Sequence, residues 1–391
     1  MRAYIYTDKA LTRHAGRFVW LSLDFEKTQN AAARKQLGIS AFPTLYVVDP
    51  ADGHVAIRWL GGASLAQLER LFDDGELAVM GGAKGPALEA LIAADRAYGA
   101  EKFADACTEY VRALALAPED WPAYSRTVES LLFAYSQADS NEATLRLAER
   151  VWPRLKGSIS GANVASSALS AAVELPGSYP GRRETLERYE AECREVLADP
   201  SLPLVGDDRS GIYFALEDAR EAANDSLGLR AVREEHVAML EREAAAAKSA
   251  EQRAVYDSHR LSLYIELGRP GAAVPMLEQS RRDFPDDYNP PQRLATAYKA
   301  MKQWPEAMAA STAAMQHAYG PRQFLVFNTR ADIQLGMADS TAARVTLLTA
   351  LTVAERMPEG LKSAGTIRQL RGRLDKLGVR LPEPAAPPAT H

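Results

Sequence analysis

From residue 86 onward, apolar positions recur every three or four residues in a background of alanine, leucine, glutamate and arginine. Through residue 378 no run there alternates at the period of a strand. The chain ahead of residue 79 follows a different pattern. Residues 18–23 (FVWLSL) form a run of strand formers stopped by Asp24, residues 44–48 (TLYVV) form a second, and 54–60 (HVAIRWL) alternate like a half-exposed third. Between the first two, NAAARKQLGI has the alanine content and terminal glycine of a short helix. After Gly61-Gly62, Ser64 is placed to cap a helix in which Leu65, Leu68 and Leu71 share one face. MGGAKGP at 80–86 reads as a joint, and the proline-rich LPEPAAPPATH is too polar to pack and is expected to be disordered. The expected organisation is a small α/β segment at 1–78, a linker at 79–86, a helical array at 87–378 and a tail at 379–391.

The helical part repeats itself. Gly268 matches Lys302, Pro270 matches Trp304, Ala273 matches Ala307 and Leu277 matches Ser311, every offset being 34 residues. One period on, Gly336 is expected in register with Gly268, and Ala343 in register after a one-residue slip. An earlier copy carries Phe103, Ala106, Tyr110, Ala113 and Pro118, a looser one begins at Trp121, and residues 161–198 and 208–246 read as eroded pairs. About seven helix pairs are expected, closed by a capping helix at 360–377 whose Lys362, Arg368, Arg371, Arg373 and Lys376 face solvent. A 34-residue period of paired helices resembles the tetratricopeptide repeat (TPR), a family that packs pairs closely through small residues and lines a binding surface with the first helix of each pair.

The N-terminal order of strand, short helix, strand, Asp-Gly turn, strand and final helix resembles the second half of a thioredoxin fold, most specifically in GISAFPTLYVVDPADGHVAIRWLGGASLAQLERLF. That resemblance implies a cis peptide at Phe42-Pro43, in the motif Phe42, Pro43, Thr44, beside the place where the family keeps its redox centre. It also implies a W-C-x-x-C turn, which this sequence does not contain. The fold class expected is therefore mainly α: a TPR-like helical-repeat solenoid preceded by a small, incomplete α/β thioredoxin-like domain.

Composition narrows the chemistry. The chain has 391 residues, 47% of them hydrophobic and 25% charged, with a net charge of -5, which makes no electrostatic case for nucleic acid or an anionic membrane. No stretch has the length and apolarity of a membrane span. The N-terminus lacks a signal-type apolar core, so a cytoplasmic location is expected as encoded, and a periplasmic or exported one if a leader was lost. Cys107 and Cys193 lie far apart without CxxC spacing and read as small buried hydrophobes. The histidines show no metal-ligand spacing, and GGAKG lacks the spacing of a phosphate loop, so neither metal nor cofactor is expected.

A non-catalytic protein–protein interaction scaffold is the function expected. Its rival is a thiol–disulfide oxidoreductase of the thioredoxin type, which requires a CxxC upstream of Met1. The partner expected is a protein or peptide held in a groove lined by Ser262, Thr296 and Arg330, equivalent positions on successive first helices, with Lys299 and Gln334 one turn away. Lys299 and Arg330 are its expected cations. The family's asparagine-and-lysine grip on a peptide's terminal carboxylate is not expected, because serine and threonine stand at the asparagine places.

Overall fold

The computed structural model describes residues 5–6, 8–37, 42–80 and 85–381, Lys35 by its backbone alone. The chain separates into two compact units, one built from residues 1–20 and 37–259, the other from 21–36 and 260–391. The division falls inside a helix rather than at the glycine-rich joint, of which residues 81–84 lie outside the described residues.

In the first unit, strands β1 (Thr44–Val48) and β2 (Val55–Leu60) pair antiparallel in the register Thr44↔Leu60 to Val47↔Ile57, with a break after Val47. Gly53 takes a positive φ in the connecting turn, and the Phe42–Pro43 peptide is cis. Helix α2 (Leu65–Val79) starts as its sequence predicts. The Ser64 hydroxyl accepts from the Gln67 amide while the Gln67 side chain accepts from the Ser64 amide, a closed capping box. Leu68, Leu71 and Phe72 of α2 pack on Val47, Ile57 and Trp59 to make a small core. Gly75 is required there, since a Cβ would lie 2.6 Å from a Val47 methyl.

The strand expected at 18–23 does not form. The run is extended, with Phe18 and Trp20 against the Phe72 ring (centroids 5.4 and 4.9 Å) and Val19 and Leu21 in water. Strand-forming side chains are present, but among the described residues no neighbouring strand takes the backbone hydrogen bonds. Residues 9–14 form a 3-10 turn that buries His14 against Phe72. Among the described residues the sheet is thus a two-stranded hairpin.

Four helix pairs complete this unit: α3 (Pro86–Gly99) with α4 (Phe103–Leu116), α5 (Tyr124–Gln137) with α6 (Asn141–Leu155), α7 (Ile159–Val173) with α8 (Arg182–Ala198), and α9 (Gly206–Ala222) with α10 (Ser226–Ala246). The hairpin is built into them. Arg58 of β2 is buried between the rings of Tyr46 and Tyr98 (5.2 and 5.6 Å) and donates to the Leu37 carbonyl, and Arg126 of α5 donates to the Arg58 carbonyl. A short α11 (Ala250–Ala254) follows, then α12 (Asp257–Glu266), within which the units divide.

The second unit continues α12 with α13 (Val274–Asp283), then pairs α14 (Asn289–Ala300) with α15 (Trp304–His317) and α16 (Arg322–Gly336) with α17 (Ser340–Arg356), and closes with α18 (Ala364–Lys376). Most of α1 (Ala31–Leu37) belongs here too. The fold is therefore a mainly α, TPR-like array of helix pairs. Ala273, Ala307 and Ala343 are fully buried where paired helices meet.

The turn inside a pair places one residue in the left-handed region: Glu101, Asp139, Gly181, Asn224, Gly268, Lys302 and Ala338. In the last pair that residue is Ala338, not Gly336, so two residues are added to the 34-residue period where one was expected. Gly336 instead receives the Trp304 ring, which a Cβ would approach to 2.4 Å. Two other expectations change at the C-terminus. Arg371 pairs with Glu355 and Arg373 with Asp332, so the basic face of α18 is partly engaged. Val379 and Leu381, assigned to the tail, pack on the core of α16–α18, while 382–391 lie outside the described residues.

Candidate interaction surface

Groups with catalytic chemistry occur in the first unit, and burial decides what each can do. His236 of α10 bridges Glu217 (Nδ1 to Oε1, 2.8 Å) and Ser210 (Nε2 to Oγ, 3.0 Å), a serine–histidine–carboxylate order. Ser210 and His236 have no exposed surface, and the rings of Tyr213 and Phe214 cover the imidazole. A nucleophile must reach a reacting carbon, and this hydroxyl is sealed between helices α9 and α10. Glu129 of α5 accepts from Ser160 of α7 and Gln67 of α2. Burial, the largest influence, pushes its carboxyl up to about 7 against those hydrogen bonds. Burial likewise raises the Cys107 thiol and drives the Cys193 thiol well up, the opposite of what a thiolate nucleophile needs. Asp49, Asp52 and His54 gather at the hairpin turn, but Asp49 accepts from the Ala51 amide and Asp52 from the His54 amide and ring, which accounts for the cluster as a turn.

The second unit presents polar groups on its first helices instead. Lys299 of α14 pairs with Asp332 of α16 (3.1 Å), Arg373 of α18 reaches the other oxygen of Asp332, and Arg373 also donates to Asn328 (2.7 Å). Three successive first helices are thereby joined by half-exposed charges, which core packing does not need.

The expected groove residues divide. Thr296 and Lys299 lie on α14, half-buried, with the Thr296 hydroxyl turned back to the Gln292 carbonyl (3.1 Å), and Ser262 is exposed on α12. Arg330 turns the other way and donates to Thr312 on α15 (2.9 Å). Gln334 is buried and accepts from Thr346 of α17 (2.8 Å). Arg330 and Gln334 thus do not face Lys299. A 34-residue offset finds equivalent positions in sequence, but one helical residue turns a side chain by about 100°, so the added residues of the last pair misplace them.

A second surface lies on the turns between pairs, and the sequence reading missed it. Tyr288 precedes α14, Tyr319 and Gly320 precede α16, Arg322 begins α16, and Gly360 lies between α17 and α18. The Arg322 guanidinium lies 5.5 Å from the Tyr288 ring centre and 5.2 Å from that of Tyr319. It pairs with Glu26 and, at 3.6 Å, with Asp24, while the Tyr319 hydroxyl donates to Asp24. Burial works against the Asp24 carboxylate, but that hydrogen bond, the Glu26 amide and Arg322 prevail and hold it below its usual range. The Tyr319 phenol is pushed up to about 12, by burial first and then by Asp24. In the sequence Asp24 marks only the end of the FVWLSL run, with no cysteines beside it to give it a catalytic role. The signal available was the pairing of an acidic Asp-Phe-Glu with Tyr-Gly-Pro-Arg, which no repeat register joins.

No family model matches the chain, and no curated protein matches it. Among solved structures it is similar to the TPR2AB-domain:pHSP90-complex of yeast Sti1, at 14% identity over 75% of this chain and 98% of that one, with a TM-score of 0.29. A likeness at that score carries no argument. The repeat reading rests on the paired helices, their left-handed turns and the buried alanines.

Proposed function

We propose that this chain is a protein–protein interaction scaffold without catalysis of its own, in which the second unit's first helices hold a protein or peptide partner and the N-terminal hairpin is a degenerate thioredoxin-like remnant. The observation that carries the reading is the run of half-exposed charges Lys299, Asp332 and Arg373 across α14, α16 and α18. Such groups contribute little to folding, so their alignment is more useful to a ligand than to the fold. The surface proposed is Ser262, Thr296, Lys299, Asn328, Asp332 and Arg373, without Arg330 and Gln334.

The test is capture from lysate of the source cells with the full chain and with Lys299→Glu/Arg373→Glu. Loss of specific proteins from the captured set is expected, and identical sets would remove this surface from the function. The oxidoreductase rival is tested by insulin-disulfide reduction with dithiothreitol. The uncatalysed rate is expected, and clear turnover above it would contradict the proposal.

A further inference from the structure

Residues 21–36 are distant in sequence from the rest of the second unit, yet they belong to it, and the way they are held is that of a bound peptide. Residues 21–27 carry no helix or strand, and a 3-10 turn at Thr28–Asn30 leads into α1, so no regular element explains the place of the Asp24–Glu26 stretch. Its conformation is local. Asp24 accepts from the Glu26 amide (3.0 Å), the Lys27 amide closes a turn onto the Asp24 carbonyl (3.1 Å), and the Asn30 side chain donates to the same carbonyl (2.7 Å). That turn presents the carboxylates of Asp24 and Glu26 together, and residues 24–26 are the half-buried part of an otherwise exposed stretch from 21 to 29.

What receives them is built for carboxylates. A guanidinium is weakly hydrated and planar, lies well on aromatic faces, and can meet two acidic groups at once. Arg322 stands beside two tyrosine rings and does meet two. Lys27 lies 5.7 Å from the centre of the Tyr319 ring, so the segment also returns a cation to the aromatic wall.

Two glycines supply an independent observation. A Cβ on Gly320 would stand 2.1 Å from the Glu26 carbonyl oxygen, and one on Gly360 would stand 2.3 Å from the Ala31 carbonyl oxygen. Both gaps are filled by backbone of this segment. Gly320 has a positive φ that suits glycine in any case, but no such φ constrains Gly360, where close approach is the remaining requirement.

We propose that this edge of the second unit is a binding site for an acidic peptide segment of a partner protein, with an aspartate two residues before a glutamate, and that residues 24–31 occupy it in the resting chain as an internal competitor. The inference rests on reading the second unit as a peptide-binding array, and it adds the ligand's chemistry and its regulation. A tethered segment competes at an effective concentration of order millimolar, and a site free only part of the time binds an outside ligand correspondingly more weakly. A partner peptide therefore binds well only when the segment is loosened.

The test uses the full chain and a fluorescent synthetic peptide of Leu21–Thr28, which carries Asp24 and Glu26 but stops before Ala31. Its anisotropy is titrated with wild type, with Asp24→Asn/Glu26→Gln, which removes the competitor's charges, and with Gly360→Ala, which crowds Ala31 and leaves the charges in place. Both variants are expected to bind the peptide at least about tenfold more tightly than wild type. Adding Arg322→Ala to either is expected to abolish the gain, and raised salt to weaken it. Equal binding by wild type and both variants, no binding by any, or binding that survives Arg322→Ala would overturn the proposal. These probes avoid Lys299, Asp332 and Arg373, so failure here leaves the first-helix reading standing, and failure of the Lys299→Glu/Arg373→Glu test leaves this one to be judged alone.

Discussion

The two units bury different kinds of polar group. In the first, Arg58, Asp95, Arg126, Glu129, Glu192, Glu217, His236 and Asp257 are all buried, together with His14. In the second, the buried polar residues among those described are Ser280, Gln292, Ser311, Thr329, Gln334 and Thr346, none of them ionisable. Where pairs repeat regularly, an alanine at each crossing and a neutral tie such as Gln292 to Thr329 (2.7 Å) suffice. In the first unit the helices are instead joined by charged networks, at the copy that carries Tyr110 as well as in the eroded pairs, and each buried charge there depends wholly on its partners.

The largest expected effect tests that dependence. Arg126 pairs with Asp95 at 3.0 Å, and Asp95 accepts from Tyr110 at 2.7 Å, all three being buried. Arg126→Ala leaves a buried carboxylate without its cation and should cost about 3–5 kcal/mol in urea unfolding of the full chain. Gln292→Ala in the second unit should cost only about 1–3 kcal/mol. A cost for Arg126→Ala no greater than that of Gln292→Ala would erase the contrast.

The next concerns pH. The folded carboxyl of Glu129 lies at about 7, above its unfolded value, so the native state binds the proton more tightly. Its stabilising influence is full below pH ~4.5 and is lost as pH rises to about 7, a fall of roughly 3 kcal/mol. Asp208 and Asp74 are raised by burial as well and act in the same sense. Glu129→Gln should remove most of the fall between pH 5 and 7 in the first unit's transition. An unchanged pH profile would contradict the assignment.

Two smaller effects belong to the second unit. Ser311 is fully buried at a position equivalent to Leu277, and its hydroxyl finds no hydrogen-bond partner. Ser311→Ala should therefore be neutral or stabilising by up to ~1 kcal/mol, because nothing is broken and a polar group leaves the interior. Measurable destabilisation would mean the hydroxyl is satisfied. Lys299→Ala should shift stability by less than about 1 kcal/mol, since Lys299 and its partner Asp332 are both part-exposed. A larger loss would make Lys299 a structural residue.

What the sequence made legible follows the same division. The 34-residue offsets located Ala273 and Ala307 because small residues at a fixed period have one physical reason, close helix approach, and Ser64 announced its helix as an N-cap. The period could not place Arg330 or Gln334, since two added residues rotate a helix face without altering the pattern of apolar positions. FVWLSL had every local property of a strand, and pairing, which is not local, decided otherwise. The Arg126–Asp95–Tyr110 tie and the Arg322–Asp24–Glu26 contact join residues 31 and about 300 apart in the chain. No periodic signal spans such distances.

The central claim is that partners are held on the second unit's first helices, while the ionisable groups inside the first unit serve the fold. A photocrosslinking amino acid at Ser262, exposed on α12, compared with one at Arg183, exposed on α8, tests it directly in the full chain. Adducts to a partner that form at Ser262, are absent at Arg183 and disappear with Lys299→Glu/Arg373→Glu are the result expected. Adducts of equal yield at both positions, or adducts at Ser262 that persist in the charge-reversed chain, would contradict it.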